Sequence, residues 1–315
     1  MSRTRKPSPP APSAAPVGDA GAAPRPRRPE DVEILLYDFR GEAALPDGPV
    51  AEAWQDAYQA RARALMRDLL VFHHESFGRL SYDGAGARVA LFLDVTRKGG
   101  WSDPYLCYLS FSRETPLPGD DIRRRFHFGD FALAADYVGH EFQHLVTSRC
   151  AALTAPGEPL ALNESLSDVF GLAFRHWRAL RAGAPDTPEW RFGEGTARPP
   201  LSCTRNLAHP GDMAAWNTGV SHMGEAGRAS TAYALSFIPS LAFRLAAKAL
   251  GERILDVIAV WNAALADPRM GDVRGFGAFA DLTVAAAERV SPEVGGAVRG
   301  GWGQVGVATT RPLIA

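Results

Sequence analysis

Two histidines four residues apart, in His140-Glu141-Phe142-Gln143-His144, constrain this 315-residue chain more than any other feature. On an α-helix, residues at i and i+4 share a face, with Cβ atoms roughly 5–6 Å apart. Both imidazoles can then reach one Zn²⁺, and Glu141 lies beside the ion's open position. A catalytic zinc takes three protein ligands and a water, so the fold must bring a third donor to this helix. Glu164, in Asn163-Glu164-Ser165-Leu166-Ser167-Asp168, is the candidate. Asp168, one helical turn on, is placed to accept a hydrogen bond from a ligand histidine. Ala134-Ala135-Asp136-Tyr137-Val138-Gly139 before the first motif and Leu145-Val146 after it are apolar at helical spacing, and Asn163 to Asp168 begins a second amphipathic helix.

Composition narrows the function classes. A net charge of −1 favours neither nucleic acid nor an anionic membrane as partner. No apolar run reaches the ~18 residues of a transmembrane helix. Cys107, Cys150 and Cys203 form no C-x-x-C pair and read as buried thiols, or at most one disulfide. With 46% hydrophobic residues, the chain can build one large domain or two ordinary ones.

Residues 1–30 are basic and then rich in Pro, Ala and Ser, which reads as a disordered tail of polyproline character or a docking or export segment. An apolar core of the ~7–15 residues that a secretory leader needs is missing from it. The localisation expected is therefore cytoplasmic, or export by a non-classical route.

The folded part is expected to open on a strand at Val32 to Tyr37, ended by Gly41 and Pro46. A helix is expected over 51–76, with Ala51, Trp54, Tyr58, Ala62, Leu65, Leu69 and Phe72 on its apolar face, closed by Phe77-Gly78-Arg79. A turn at 81–86 and strands over 88–96 and 105–111 follow, then the zinc helix within 131–152. Helices are expected at 162–181, 229–250, 252–266 and 273–290, with long Gly/Pro-rich loops over 183–227. The expected division is a tail to 30, an N-terminal mixed lobe 31–152, a C-terminal helical lobe 153–308 and a short tail 309–315.

With these residues in hand, the chain resembles the thermolysin-like neutral metalloproteases, the gluzincin endopeptidases, over roughly residues 34–307. Beside the zinc motif, the likeness rests on Leu36-Tyr37-Asp38 with Leu45-Pro46, on His74-Glu75-Ser76-Phe77-Gly78-Arg79, and on Tyr82-Asp83-Gly84. Ile238-Pro239 with Ala242-Phe243-Arg244-Leu245-Ala246-Ala247, and Gly303-Gln304-Val305-Gly306-Val307, extend it. The resemblance implies an α+β fold, with a β-rich N-terminal lobe, the zinc helix at the interlobe cleft and a mainly helical C-terminal lobe.

It also implies that His140, His144 and Glu164 bind the metal, that Glu141 is the general base and that Asp168 orients a ligand. Arg205 would grip the substrate backbone, and Trp101 would lie on the substrate-binding edge strand. The family's oxyanion donor, a histidine, is replaced by Tyr233 if positions are counted back from Ile238-Pro239, or corresponds to His222 if counted forward along the loop. A family tyrosine between ligand histidine and ligand glutamate is Ala155 here. Of the family's calcium cage, Asp136, Glu189 and Glu194 fall at acidic positions, while Arg175 and Arg191 stand where further carboxylates are expected. Arginine cannot ligate Ca²⁺ but can pair with carboxylates, so calcium is not expected.

The function so implied is a zinc-dependent endopeptidase, acting on protein or peptide substrates as a monomer. The metal would polarise the scissile carbonyl and activate water, and Glu141 would take up its proton. Two alternatives stay open: a degenerate zinc protein serving as a binding module, and an effector- or toxin-type peptidase of narrow specificity.

Overall fold

The computed structural model describes residues 27–40, 42, 44–95, 100–103, 107–111 and 129–310. Most of the expected N-terminal tail, Gly41, Tyr105, the ends of the strand segments over 88–96 and 105–111, and residues 311–315 lie outside them; of Trp101 only the backbone is described.

Strands β1 (Ile34–Asp38), β2 (Val89–Leu93), β3 (Gly100–Asp103) and β4 (Tyr108–Phe111) form one sheet in the order β1-β2-β4-β3. β1, β2 and β4 are parallel; β3 runs antiparallel to β4 and is an edge strand. Val89, Leu91 and Leu93 are buried while Ala90 and Phe92 between them are only partly so, the period-2 pattern of a strand facing a core. Helix α1 (Ala57–Phe77) starts at a reciprocal cap: the Asp56 carboxylate accepts from Gln59 N, and the Gln59 side chain accepts from Asp56 N. It ends at Gly78, whose φ of 65° satisfies the last carbonyls in the left-handed region.

The cap shortens the helix expected from periodicity. Ala51 and Trp54 precede it, Trp54 in a 3-10 turn and 84% exposed, because Asp56 offers the first free amides a partner that Ala51 cannot. The expected tail also ends sooner than residue 30: Pro29 is buried, and Arg67 Nη1 donates to the carbonyls of Pro29 and Val32.

Helices α2 (Ala135–Ser148) and α3 (Glu158–Arg181) pack together at the middle of the molecule. Glycine makes the approach possible. A Cβ on Gly171 would lie 2.3 Å from Asp136 O, and one on Gly139 would lie 2.9 Å from Gly171 Cα. Behind them come a two-stranded pair, β5 (Arg191–Phe192) and β6 (Arg205–Asn206), then α4 (Ala232–Leu235), α5 (Phe237–Ala249), α6 (Ile254–Leu265), α7 (Phe276–Val290) and α8 (Pro292–Gln304).

The last of these was not expected, because its five glycines hide its periodicity. Ser291 caps it by accepting from Val294 N, and Pro292 occupies its first turn. Its Gly301 abuts the α5 backbone, where a Cβ would come 2.5 Å from Ala242 O. Trp302 on the same helix stacks on Trp261, donates to Thr283 Oγ1 at 2.8 Å and anchors the helical half. The whole is α+β, sheet and α1 on one side, helices on the other, α2 between.

Candidate metal centre

α2 carries His140 and His144 on one face, with their Nε2 atoms 3.1 Å apart. α3 runs alongside and sets Glu164 Oε2 3.5 Å from His140 Nε2 and Oε1 3.8 Å from His144 Nε2. Donors about 2.0–2.2 Å from a tetrahedral zinc stand about 3.3 Å from each other. These three donor atoms all lie within 4.8 Å of one another, so the set fits a zinc ion with a fourth position free.

The remaining ring nitrogens are held from outside the cluster. His140 Nδ1 meets Asp168 Oδ1 at 2.8 Å, and His144 Nδ1 meets Asn163 Oδ1 and Ser167 Oγ, both at 3.1 Å. A carboxylate partner keeps the His140 proton on Nδ1, so the Nε2 lone pair faces inward. Lone pairs and a carboxylate this close repel unless a cation lies among them. Burial opposes charge on His140, yet the Asp168 and Glu164 carboxylates outweigh it and raise its pKa to about 10. Burial likewise pushes Glu164 up, and His144 and His140 more than reverse this, holding it at about 2.

Glu141 is 6% exposed beside these groups. Burial pushes its carboxyl up and Glu164 adds to the push, while His140, His144 and the Ser102 hydroxyl pull it down; the net shift is upward. It opens on a cavity of about 560 Å³ that also reaches Ser102 on β3, Asn163, Glu164 and Tyr233. That volume is in the ordinary range of ligand sites.

Tyr233, on α4, reaches this cavity with 45% of its surface exposed. The Glu164 charge and burial raise its phenol pKa, so the hydroxyl keeps its proton. Arg205, on β6, sits behind the cavity. Its Nε and Nη2 donate to Asp168 Oδ2 and Oδ1 at 2.7 and 2.5 Å, and its Cζ lies 4.5 Å from the Phe192 ring centre and 5.7 Å from that of Tyr233.

His222 is outside the cavity lining. Its Nδ1 accepts from Gly224 N at the start of the 3-10 turn Met223–Arg228, and its ring fills the space beside Gly306. The backbone of Trp101 is in edge strand β3, next to Ser102. Sequence reasoning missed Ser102, Asn163 and Ser167. Asn163 and Ser167 had a signal, since they stand at i and i+4 on the helix that carries Glu164 and Asp168; Ser102 had none.

A second ionic cluster lies at the N-terminal end of α2. Asp136, 1% exposed, accepts from Arg175 Nη1 at 2.7 Å, from Gly193 N at 2.8 Å and from its neighbour Tyr137 N. Arg175 also donates to the carbonyls of Arg191 and Glu189. Arg191 binds both oxygens of Glu189 and pairs with Glu194 at 2.5 Å.

Residues 151–307 match the family described as thermolysin metallopeptidase, alpha-helical domain. Thermolysin of Alicyclobacillus acidocaldarius subsp. acidocaldarius is 28% identical over 188 residues, covering 56% of this chain and 31% of that protein. An extracellular metalloprotease of Pectobacterium carotovorum subsp. carotovorum is 31% identical over 200 residues, 59% of this chain and 57% of the relative. The chain thus spans about a third of the length of the thermolysins it matches. Among solved structures, the precursor of protealysin, a metalloproteinase from Serratia proteamaculans, superposes with a TM-score of 0.77 at 26% identity, over 91% of each chain.

Proposed function

We propose that this chain, which belongs to the thermolysin-like metallopeptidases, is a zinc-dependent endopeptidase that hydrolyses peptide bonds in protein or peptide substrates. The observation that carries the reading is the convergence of His140 Nε2, His144 Nε2 and the Glu164 carboxylate, with Glu141 beside them on an open cavity.

Zinc held by these three residues would supply a Lewis acid for the scissile carbonyl and would acidify a nearby water. Glu141 accepts the water's proton and delivers it to the leaving amine, a role that suits a carboxyl whose pKa burial has raised. The Tyr233 hydroxyl faces the cavity as a protonated donor and hydrogen-bonds the carbonyl oxygen as it gains charge. Its position inside the cavity lining, and that of His222 outside it, favour Tyr233 for this role.

Asp168 fixes the His140 tautomer, and Arg205 holds Asp168 with two bonds that leave Nη1 for a substrate carbonyl. Among the described residues no strand pairs with the outer edge of β3, which can take an extended substrate as an added strand. Arg175 and Arg191 supply positive charge where calcium would otherwise neutralise carboxylates, and we propose that the fold needs no calcium.

Zinc content and hydrolysis of an unstructured protein substrate, measured on the wild type and two variants, test the assignment. Glu141→Gln should keep one zinc per chain and lose about 10²–10⁴-fold in turnover, whereas Glu164→Ala should lose zinc itself. A Glu141→Gln protein that cleaves as fast as the parent overturns the mechanism.

A further inference from the structure

Arg149 is the one lysine or arginine side chain among the described residues lining the candidate cavity. It caps the C-terminal end of α2, its backbone N–H donating to the Thr147 and Val146 carbonyls. Its guanidinium Nη2 donates to Cys107 Sγ at 3.0 Å, and its Cζ lies 5.3 Å from the centre of the Tyr82 ring. A thiol and an aromatic face hold a guanidinium in place but carry no formal charge to cancel its own.

Arg205, behind the same cavity, ends on the Asp168 carboxylate. Arg149 has no carboxylate partner among the described residues and is exposed. The helix dipole favours a cation at a C-terminus, which explains why arginine is tolerated there, though not why it is anchored facing the cavity.

Of the carboxylates in the cavity, Glu164 belongs to the donor cluster and Glu141 lies beside it, so both are engaged there. Arg149 follows His144 by five residues, about 7.5 Å along the helix axis. An extended peptide rises about 3.3 Å per residue, so that offset corresponds to about two residues from the bond being cut. Arginine is suited to grip a carboxylate through two parallel N–H bonds.

We propose that Arg149 is a specificity-determining residue, which selects substrates bearing a glutamate or aspartate within two residues of the scissile bond. The proposal rests on the peptidase reading above.

Matched peptides carrying Glu, Gln, Leu or Lys at each of the two positions on either side of one cleavage site test it, with kcat/KM measured for the wild type, Arg149→Lys, Arg149→Met and Arg149→Glu. The wild type should favour Glu over Gln at one position by about tenfold, more weakly as salt is added. Arg149→Met should bring that ratio close to one, Arg149→Lys should keep part of it, and Arg149→Glu should prefer Lys. A Glu-to-Gln ratio that is flat in the wild type, or unmoved in Arg149→Met, overturns the proposal. If the zinc-loaded wild type cleaves none of the peptides, the peptidase reading fails, and equilibrium binding of the same peptides decides the role of Arg149. Preference for Glu that Arg149→Met removes then supports it; equal binding overturns it.

Discussion

The two poles of the α2–α3 pair handle close-packed polar groups in opposite ways. At one pole His140, His144 and Glu164 converge with no lysine or arginine of the described residues among them, and Asp168 and Arg205 serve only the outer edge of the cluster. At the other, Arg175 and Arg191 stand inside a group of three carboxylates. In the first arrangement the positive charge comes from a bound cation or a proton on histidine; the second carries arginines of its own. The difference teaches that one packed helix pair can gather a donor set suited to a metal at one end and pair its carboxylates with arginines at the other, through the choice of arginine or histidine at a few positions.

Selective metal removal gives the strongest contrast. A zinc chelator should abolish hydrolysis and lower the melting temperature, while a calcium-selective chelator should leave the melting temperature of the zinc-loaded protein unchanged. A fall that added calcium restores would break the comparison.

Tyr233→Phe sharpens the catalytic pole. Removing one hydrogen-bond donor to the developing oxyanion typically costs about 10²–10³ in turnover, so kcat should fall by that order with KM little changed. His222→Ala should change kcat much less, and the opposite ranking would move the donor role to His222.

Arg175→Met probes the self-neutralised pole. It strands a carboxylate that is 1% exposed, and breaking such a buried pair costs about 3–5 kcal/mol. Backbone donors from Gly193 and Tyr137 remain on Asp136 and place the loss at the low end, about 3 kcal/mol by the same reasoning. Arg191→Met should cost below about 1 kcal/mol, since its carboxylate partners are largely solvated. Equal losses in chemical denaturation would mean that Arg175 is not buffering a buried charge.

A further effect is a pH dependence outside both poles. His73, on α1, is buried among Phe72, Phe77, Phe142 and Phe170, with neither ring nitrogen hydrogen-bonded. Burial, helped by the nearby Arg79 charge, lowers its pKa from 6.5 to about 3. Between those values the unfolded chain binds the proton and the folded chain does not, so stability falls as pH drops from 6.5 toward 3. His73→Leu should flatten that acid limb in melting experiments; an unchanged slope would assign it to other groups.

How far the sequence could be read depended on whether the signal was local. His140, His144 and Glu141 were legible because four-residue spacing on a helix has a fixed geometry. Helix α8 was not, since glycines close to α5 replaced the apolar periodicity that marks a helix, though Ser291 and Pro292 marked its start. Trp54 was misplaced because helical spacing continued past the true boundary, which Asp56 sets by capping.

By itself, the sequence determined the helix that carries His140, Glu141 and His144 and the second helix with Glu164 and Asp168, since each is a pattern within one element. Tertiary structure alone decided which groups those elements meet: Ser102 against Glu141, Tyr233 rather than His222 at the cavity, Arg205 on Asp168, and Arg149 anchored by Cys107 and Tyr82. These contacts join residues far apart in the chain. Their distances follow from how closely α2 and α3 approach through Gly139 and Gly171 and from how β3 and α4 lie against them. Spacing along a chain encodes periodicity within an element, while packing between elements is set by the shape of all the side chains at once.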